Sequence, residues 1–169
     1  CKPKDVCQHS VEKKLAILQA QAAKTDAGAD IYRLAYASDL FGENYGVSRD
    51  LEAINRQFQK AADKGFSPAQ YQLGKNLLIG RGGNIDASAA KSWLLRAASE
   101  GLADAQYLLG MEMLSGSRFA RDESAARMWL ERAAASGYRA AQIALAWHYA
   151  TPPAPTSRNP DRAHTLIAR

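Results

Sequence analysis

Three stretches of this chain repeat one another without a gap: Asp50 to Ile85, Asp86 to Arg121, and Asp122 onward. Ala61-Ala62, Ala97-Ala98 and Ala133-Ala134 recur at a spacing of 36 residues. So do Gly65, Gly101 and Gly137, and so do Ala69-Gln70, Ala105-Gln106 and Ala141-Gln142. A fixed period of roughly 20–50 residues marks a stacked repeat architecture, in which each unit buries its apolar face against its sequence neighbours. The function expected of such an array is an extended surface that holds another molecule.

Each unit divides into two helices. From Asp86 to Glu100 the residues Ala89, Trp93, Leu94, Ala97 and Ala98 fall on one helical stripe, with Asp86 placed as N-cap and Gly101 just past the last turn. Asp104 to Leu114 then puts Ala105, Leu108, Leu109 and Met113 on one face, with Gly110 where two helices approach closely. The plan is helix A, tight turn, helix B, loop. Copy one repeats it with Ala53, Phe58 and Gly74, and copy three with Ala125, Trp129, Leu130 and Ala146. Val11 to Lys24 and Ala29 to Phe41 read as a degenerate leading pair. Thr151-Pro-Pro-Ala-Pro-Thr cannot continue a helix, and Asn159-Pro160-Asp161 opens a new one carrying Ala163, Leu166 and Ile167.

The expected architecture is therefore all-α, a right-handed α/α solenoid of helix-turn-helix repeats. Its parts are a tether over 1–10, a degenerate repeat over 11–49, repeats over 50–85, 86–121 and 122–150, a Pro-rich loop over 151–158, and a capping or truncated helix over 159–169. Alanine supplies much of the 47% apolar content, which favours closely packed helices. The net charge of +5 arises after residue 50 and contains no Lys/Arg run, so an acidic protein surface fits it better than nucleic acid. No apolar run approaches the ~18–20 residues of a membrane span. Cys1 and Cys7 are the only cysteines, too few for a disulfide framework.

The phrase Trp-Leu-x-x-Ala-Ala-x-x-Gly-x-x-x-Ala-Gln-Tyr-x-Leu-Gly, running from Trp93 to Gly110, resembles the Sel1-like repeat, a relative of the tetratricopeptide repeat. The linker Gly46-Val47-Ser48-Arg49-Asp50 resembles that family's Gly-Val-x-x-Asp loop. The resemblance runs from Asp50 to Ala146, extends in weaker form back to Val11, and is expected to stop at Thr151. It implies a scaffold or adaptor that binds another protein. Many bacterial members are exported. Some are envelope lipoproteins or scaffolds of polysaccharide-export machinery, and some are immunity proteins that sterically block secreted phospholipase toxins. With Cys1 leading a polar stretch, the expectations are a lipid anchor on Cys1 and a periplasmic or membrane-anchored location, against a cytoplasmic one. The alternative for Cys1 is a plain chain boundary.

Partner specificity is expected at helix A positions off the apolar stripe, on the concave face: Asn55 and Arg56, Lys91 and Ser92, Arg127 and Met128. Tyr45, Phe119, Trp147 and Tyr149 are candidate aromatic contacts. Tyr149 also falls where the repeat wants a core ring. Lys60, Arg96 and Arg132 form a ladder that the helix dipole explains without a partner. The pairs Ser10/Lys13 and Ser88/Lys91 match a β-lactamase-like spacing, but the Ser-Asp-Asn and Lys-Thr-Gly elements that such a site needs are missing. No catalytic residue, metal ligand or cofactor is assigned.

Overall fold

The computed structural model describes residues 4–45 and 50–150, with side chains over 9–41 and 50–150. Among these residues there are eight helices and no strand: α1 Lys4–Thr25, α2 Gly28–Tyr45, α3 Leu51–Asp63, α4 Ser67–Ile79, α5 Ala87–Ser99, α6 Ala103–Ser115, α7 Glu123–Ala135 and α8 Arg139–Ala150.

The recurring letters turn out to encode one local structure written three times. At each helix A start an aspartate carboxylate accepts a backbone N–H three residues on: Asp50 from Ala53, Asp86 from Ala89, Asp122 from Ala125, each at 2.9 Å. At each helix A end the backbone turns left-handed at Gly65, Gly101 and Gly137, with φ of 79°, 93° and 83°. Each glycine N–H donates to the second alanine carbonyl of the Ala-Ala pair, and the next residue donates to the first. The glutamine of helix B then adds a side-chain donor to that second alanine carbonyl. Gln70 Nε2 reaches Ala62 O at 3.5 Å, Gln106 reaches Ala98 O at 3.0 Å, and Gln142 reaches Ala134 O at 3.3 Å. Ala-Ala, Gly and Ala-Gln are thus parts of a single turn that ties helix B to the carbonyl end of helix A.

The chain divides within α5 into two compact units, residues 1–93 and 94–169. In the first, α1 packs on α2, α2 on α3 and α3 on α4. Its core joins Ala22, Ile31, Ala35, Ile54, Phe58 and Leu73, with Tyr32, Phe66 and Trp93 against it. In the second, α6 packs on α7 and α7 on α8, around Leu130, Ala133, Leu145 and Tyr149. Leu130 and Leu145 are among the largest fully buried side chains, each contributing about 1.5–3 kcal/mol of burial. Gly110 permits the closest approach there. A Cβ on it would lie 2.6 Å from Leu130 Cγ and 3.0 Å from Ala126 O.

Several expectations shift. The helix expected from Val11 begins at Lys4, because residues 4–10 contain no Gly or Pro to stop it, so the tether over 1–10 is largely helical. Helix α2 runs to Tyr45 rather than Phe41. The buried stripe of helix A contains Leu94, Ala97 and Ala98 as expected, but its first position lies one residue later than read. Ile54, Ala90 and Ala126 are buried, while Ala53, Ala89 and Ala125 are half-buried. The reason is register: Ala90, Leu94 and Ala97/Ala98 follow the i, i+4, i+7 spacing that faces the core. The Pro-rich segment and the 159–169 helix lie outside the described residues, as do Cys1 and the Cys7 side chain.

Candidate functional site

In the first unit the polar helix A residue Asn55 is turned into the structure. Its Nδ2 donates to the carbonyl of Arg81 in the α4–α5 loop, and its Oδ1 accepts from Asn76 Nδ2 of α4 at 2.7 Å. The Arg81 guanidinium bonds Asp39 of α2 at 2.9 Å, and both side chains are largely shielded. A seam of amides and one ion pair thus joins α2, α3, α4 and the loop. Gly82 completes it: with φ of 74°, any Cβ there would lie 2.5 Å from Leu51 O. Asn55 is a structural clamp, because buried amide groups cost stability unless both ends are paired. Its neighbour Arg56 is exposed and faces its own helix start, 3.6 Å from Glu52 and 3.7 Å from Asp50. Lys91 is half-buried, and Ser92 is exposed with its hydroxyl on Ser88 O at 3.2 Å.

In the second unit Arg127 is exposed and Met128 is 40% exposed on α7. Arg132 of the basic ladder lies 4.9 Å over the Trp129 ring, in the last turn of α7, where the dipole also favours a cation. Phe119 was expected as a loop contact. It is buried at 5% exposure, because the α6–α7 loop folds its ring inward. Tyr149 is also a core ring: it is 5% exposed, with its hydroxyl donating to Glu131 Oε1 at 2.6 Å. Tyr45 is the last residue of α2 rather than a loop residue, and its side chain lies outside the described ones.

Trp147 behaves differently. It is 66% exposed on α8, one turn after Ile143 at 50%. Beside them runs a groove of about 530 Å³, lined by Tyr107, Met111 and Leu114 of α6 and by Ala140, Ala144 and His148 of α8. Next to the groove, Tyr107 also touches the start of α8. Tyr107 and Tyr138 rings meet at 5.4 Å, and the Tyr138 hydroxyl donates to Asp104 Oδ1 at 3.1 Å. Burial, with the Asp104 bond and charge adding to it, raises the Tyr138 phenol above the usual tyrosine range. At the other end His148 lies 3.8 Å from Glu123 of α7 and edge-on to Tyr149. Exposed aromatic and aliphatic groups beside an apolar groove are suited to desolvating a partner's side chains. Helix B carries this surface, and it includes Trp147, one of the expected aromatic contacts, while the expected helix A positions lie apart from it. The available signal was the departure of Ile143 and Trp147 from Tyr107 and Met111 at the same repeat positions. Among the described residues no three His, Cys, Asp or Glu side chains are grouped to hold a metal ion. No described helix is long and apolar enough to cross a membrane.

Helix pairs closed by one recurrent turn define an all-α repeat protein of the solenoid class. Sel1 repeats are matched at residues 67–102, 103–138 and 139–167, more than half the chain, and the chain belongs to the Sel1 repeat family. These matched units begin on helix B, half a repeat away from the frame beginning at Asp50. The last runs to residue 167, past Thr151, where the resemblance was expected to end. The fold is similar to the crystal structure of a Sel1 repeat protein from Oxalobacter formigenes, with a TM-score of 0.75 and 23% identity over 96% of this chain and 68% of that one. It is equally similar, at TM-score 0.75 and 23% identity, to a protective antigen present in uropathogenic Escherichia coli strains displaying an SLR fold. That match covers 88% of this chain and 31% of the antigen, so this chain spans less than a third of the antigen's length. No curated protein matches the chain. Sel1 repeats mediate protein–protein interaction in general, and the family is a non-catalytic interaction scaffold.

Proposed function

We propose that the chain binds a partner protein through the α8 side of its second unit, with Trp147 and Ile143 as anchors and the α6–α8 groove as receptacle. The observation that carries this reading is the pair of large apolar side chains, 66% and 50% exposed, beside an apolar groove in a protein-binding family. Affinity capture from the native host tests it. Trp147→Ala with Ile143→Ala should lose the proteins retained by the unaltered chain, while Lys91→Glu with Arg127→Glu should keep most of them. Capture indifferent to the first pair overturns the site.

The most concrete version is a steric inhibitor in the bacterial envelope, an immunity protein that covers a secreted phospholipase toxin, anchored by a lipid on Cys1. Its support is the family resemblance, the bacterial source of both structural relatives, and a net charge of +5 that suits an acidic partner. Adding the purified chain to such a phospholipase should suppress lipid hydrolysis stoichiometrically. Undiminished hydrolysis at saturating chain rejects the inhibitor version and leaves partner binding to be judged by the capture experiment.

A further inference from the structure

We infer that residues 159–169 dock as a helix on the Ala146 face of α8, taking there the place that α7 takes on α6. The occupant is a segment of this chain, and the inference stands apart from the partner-binding reading.

The segment repeats the opening of α7. Laid 37 positions back, one more than the period of 36, Asn159 falls on the cap Asp122, Ala163 on Ala126, Leu166 on Trp129 and Ile167 on Leu130. The extra residue falls in the Pro-rich stretch that follows α8. Asn is a favoured N-cap. Pro160 then stands at the first helical position, where its missing N–H is one of the unbonded donors anyway, and Asp161 places negative charge in the first turn. Ala163, Leu166 and Ile167 stand at i, i+3 and i+4, one apolar stripe, and their counterparts in α7 are 0%, 7% and 1% exposed. The third matched Sel1 unit, 139–167, joins the segment to α8 as the second, 103–138, joins α7 to α6.

The seat is read from α6. Gly110 lies so close against α7 that a Cβ there would stand 2.6 Å from Leu130 Cγ and 3.0 Å from Ala126 O. Ala146 lies 36 residues after Gly110 and is 5% exposed. The residues that meet it on docking, Ala163 and Ile167, are the counterparts of Ala126 and Leu130. Ala146 adds one methyl to the seat, so the docked helix stands farther from α8 than α7 does from α6. A segment of 11 residues is too short to hold a helix alone in water, so burial of this stripe is what forms it.

Hydrogen exchange of the full chain, read by mass spectrometry, tests the docking. Amides over 162–169 should exchange at least about tenfold more slowly than in a free peptide of residues 151–169. Ile167→Glu should return them to the free-peptide rate, whereas Thr165→Glu, at the position of the exposed Met128, should leave them slow. Disulfide trapping gives a second readout. With Cys1→Ser and Cys7→Ser in place, Ala146→Cys with Ala163→Cys should form a bridge within one chain on oxidation by copper phenanthroline, and Ala146→Cys with Thr165→Cys should not. Free-peptide exchange in the unaltered chain overturns the inference. So does an equal loss of protection in the two glutamate variants, or protection that survives Ile167→Glu. A bridge formed between chains makes a second copy the occupant, and protection that arises only on adding host proteins makes it a partner; either result overturns the inference. Circular dichroism of each variant excludes loss of α1–α8 as the cause.

Discussion

Replacing Gly110 with alanine should destabilise the second unit, although alanine is the better helix former. A Cβ at this position falls 2.6 Å from Leu130 Cγ, 2.9 Å from Leu130 Cδ2 and 3.0 Å from Ala126 O. Leu130 is 1% exposed and fully enclosed, and its Cγ is not the free end of a mobile chain. Relief therefore requires a shift of α7 against α6. Overpacking of this kind costs about 1–3 kcal/mol, set against a gain of about 1 kcal/mol from removing a mid-helix glycine, so the expected net loss is up to about 2 kcal/mol. Urea unfolding followed by circular dichroism measures it. The contact partner is tested in a double-mutant cycle. Leu130→Ala alone costs about 2–5 kcal/mol, but in that background the added Gly110→Ala step should cost clearly less, because the Leu130 contacts have gone and only the 3.0 Å approach to Ala126 O remains. Gly83→Ala is the control: a Cβ there meets nothing within 4 Å. It should be neutral or stabilise by up to about 1 kcal/mol. If Gly110→Ala raises stability, or costs the same with and without the Leu130 side chain, the close approach of α6 and α7 is wrong.

Asp122→Ala should cost about 1 kcal/mol by removing the carboxylate that accepts the Ala125 N–H, whereas Asp122→Asn should retain most of the cap, again read by urea unfolding. Gln106→Ala should cost about 0.5–1.5 kcal/mol, the net worth of its bond to Ala98 O, and it should raise hydrogen exchange at the α5–α6 turn. Tyr138 holds its proton more tightly when folded. Its contribution is fully present below the ordinary tyrosine range and is lost as pH rises through its raised value; Tyr138→Phe should flatten that alkaline loss of stability. Trp147→Ala should change stability by no more than about 0.5 kcal/mol, since the ring is 66% exposed, while abolishing partner capture.

The period, the helix pairs, the aspartate caps and the glycine turns were legible because each depends on residues close in sequence. The turn at Ala61-Ala62, Gly65 and Ala69-Gln70 spans ten residues and announces itself by recurring. The role of Gln70, Gln106 and Gln142 was not read, because a donor aimed at a carbonyl eight residues back becomes visible only once the turn brings helix B alongside helix A. The site was read less well for the same physical reason. Asn55 looks like a solvated helix residue in its own helix, yet its partners Asn76 and Arg81 lie 21 and 26 positions away. Phe119 has the appearance of an exposed loop ring until the loop closes over it. Trp147 was noticed, but adjacency to His148 and Tyr149 concealed that neighbours on a helix point in different directions. Tyr149 faces the core, and Trp147 faces outward.

The central claim is that a partner protein meets helix B at the α8 ridge, with helix A positions such as Arg127 playing a lesser part. A photo-crosslinking amino acid placed at position 147 in one variant and at position 127 in another, each irradiated in the native host, tests this most directly. The account predicts a discrete crosslinked protein from position 147 and little from position 127. A discrete adduct from 127 with none from 147 would contradict it.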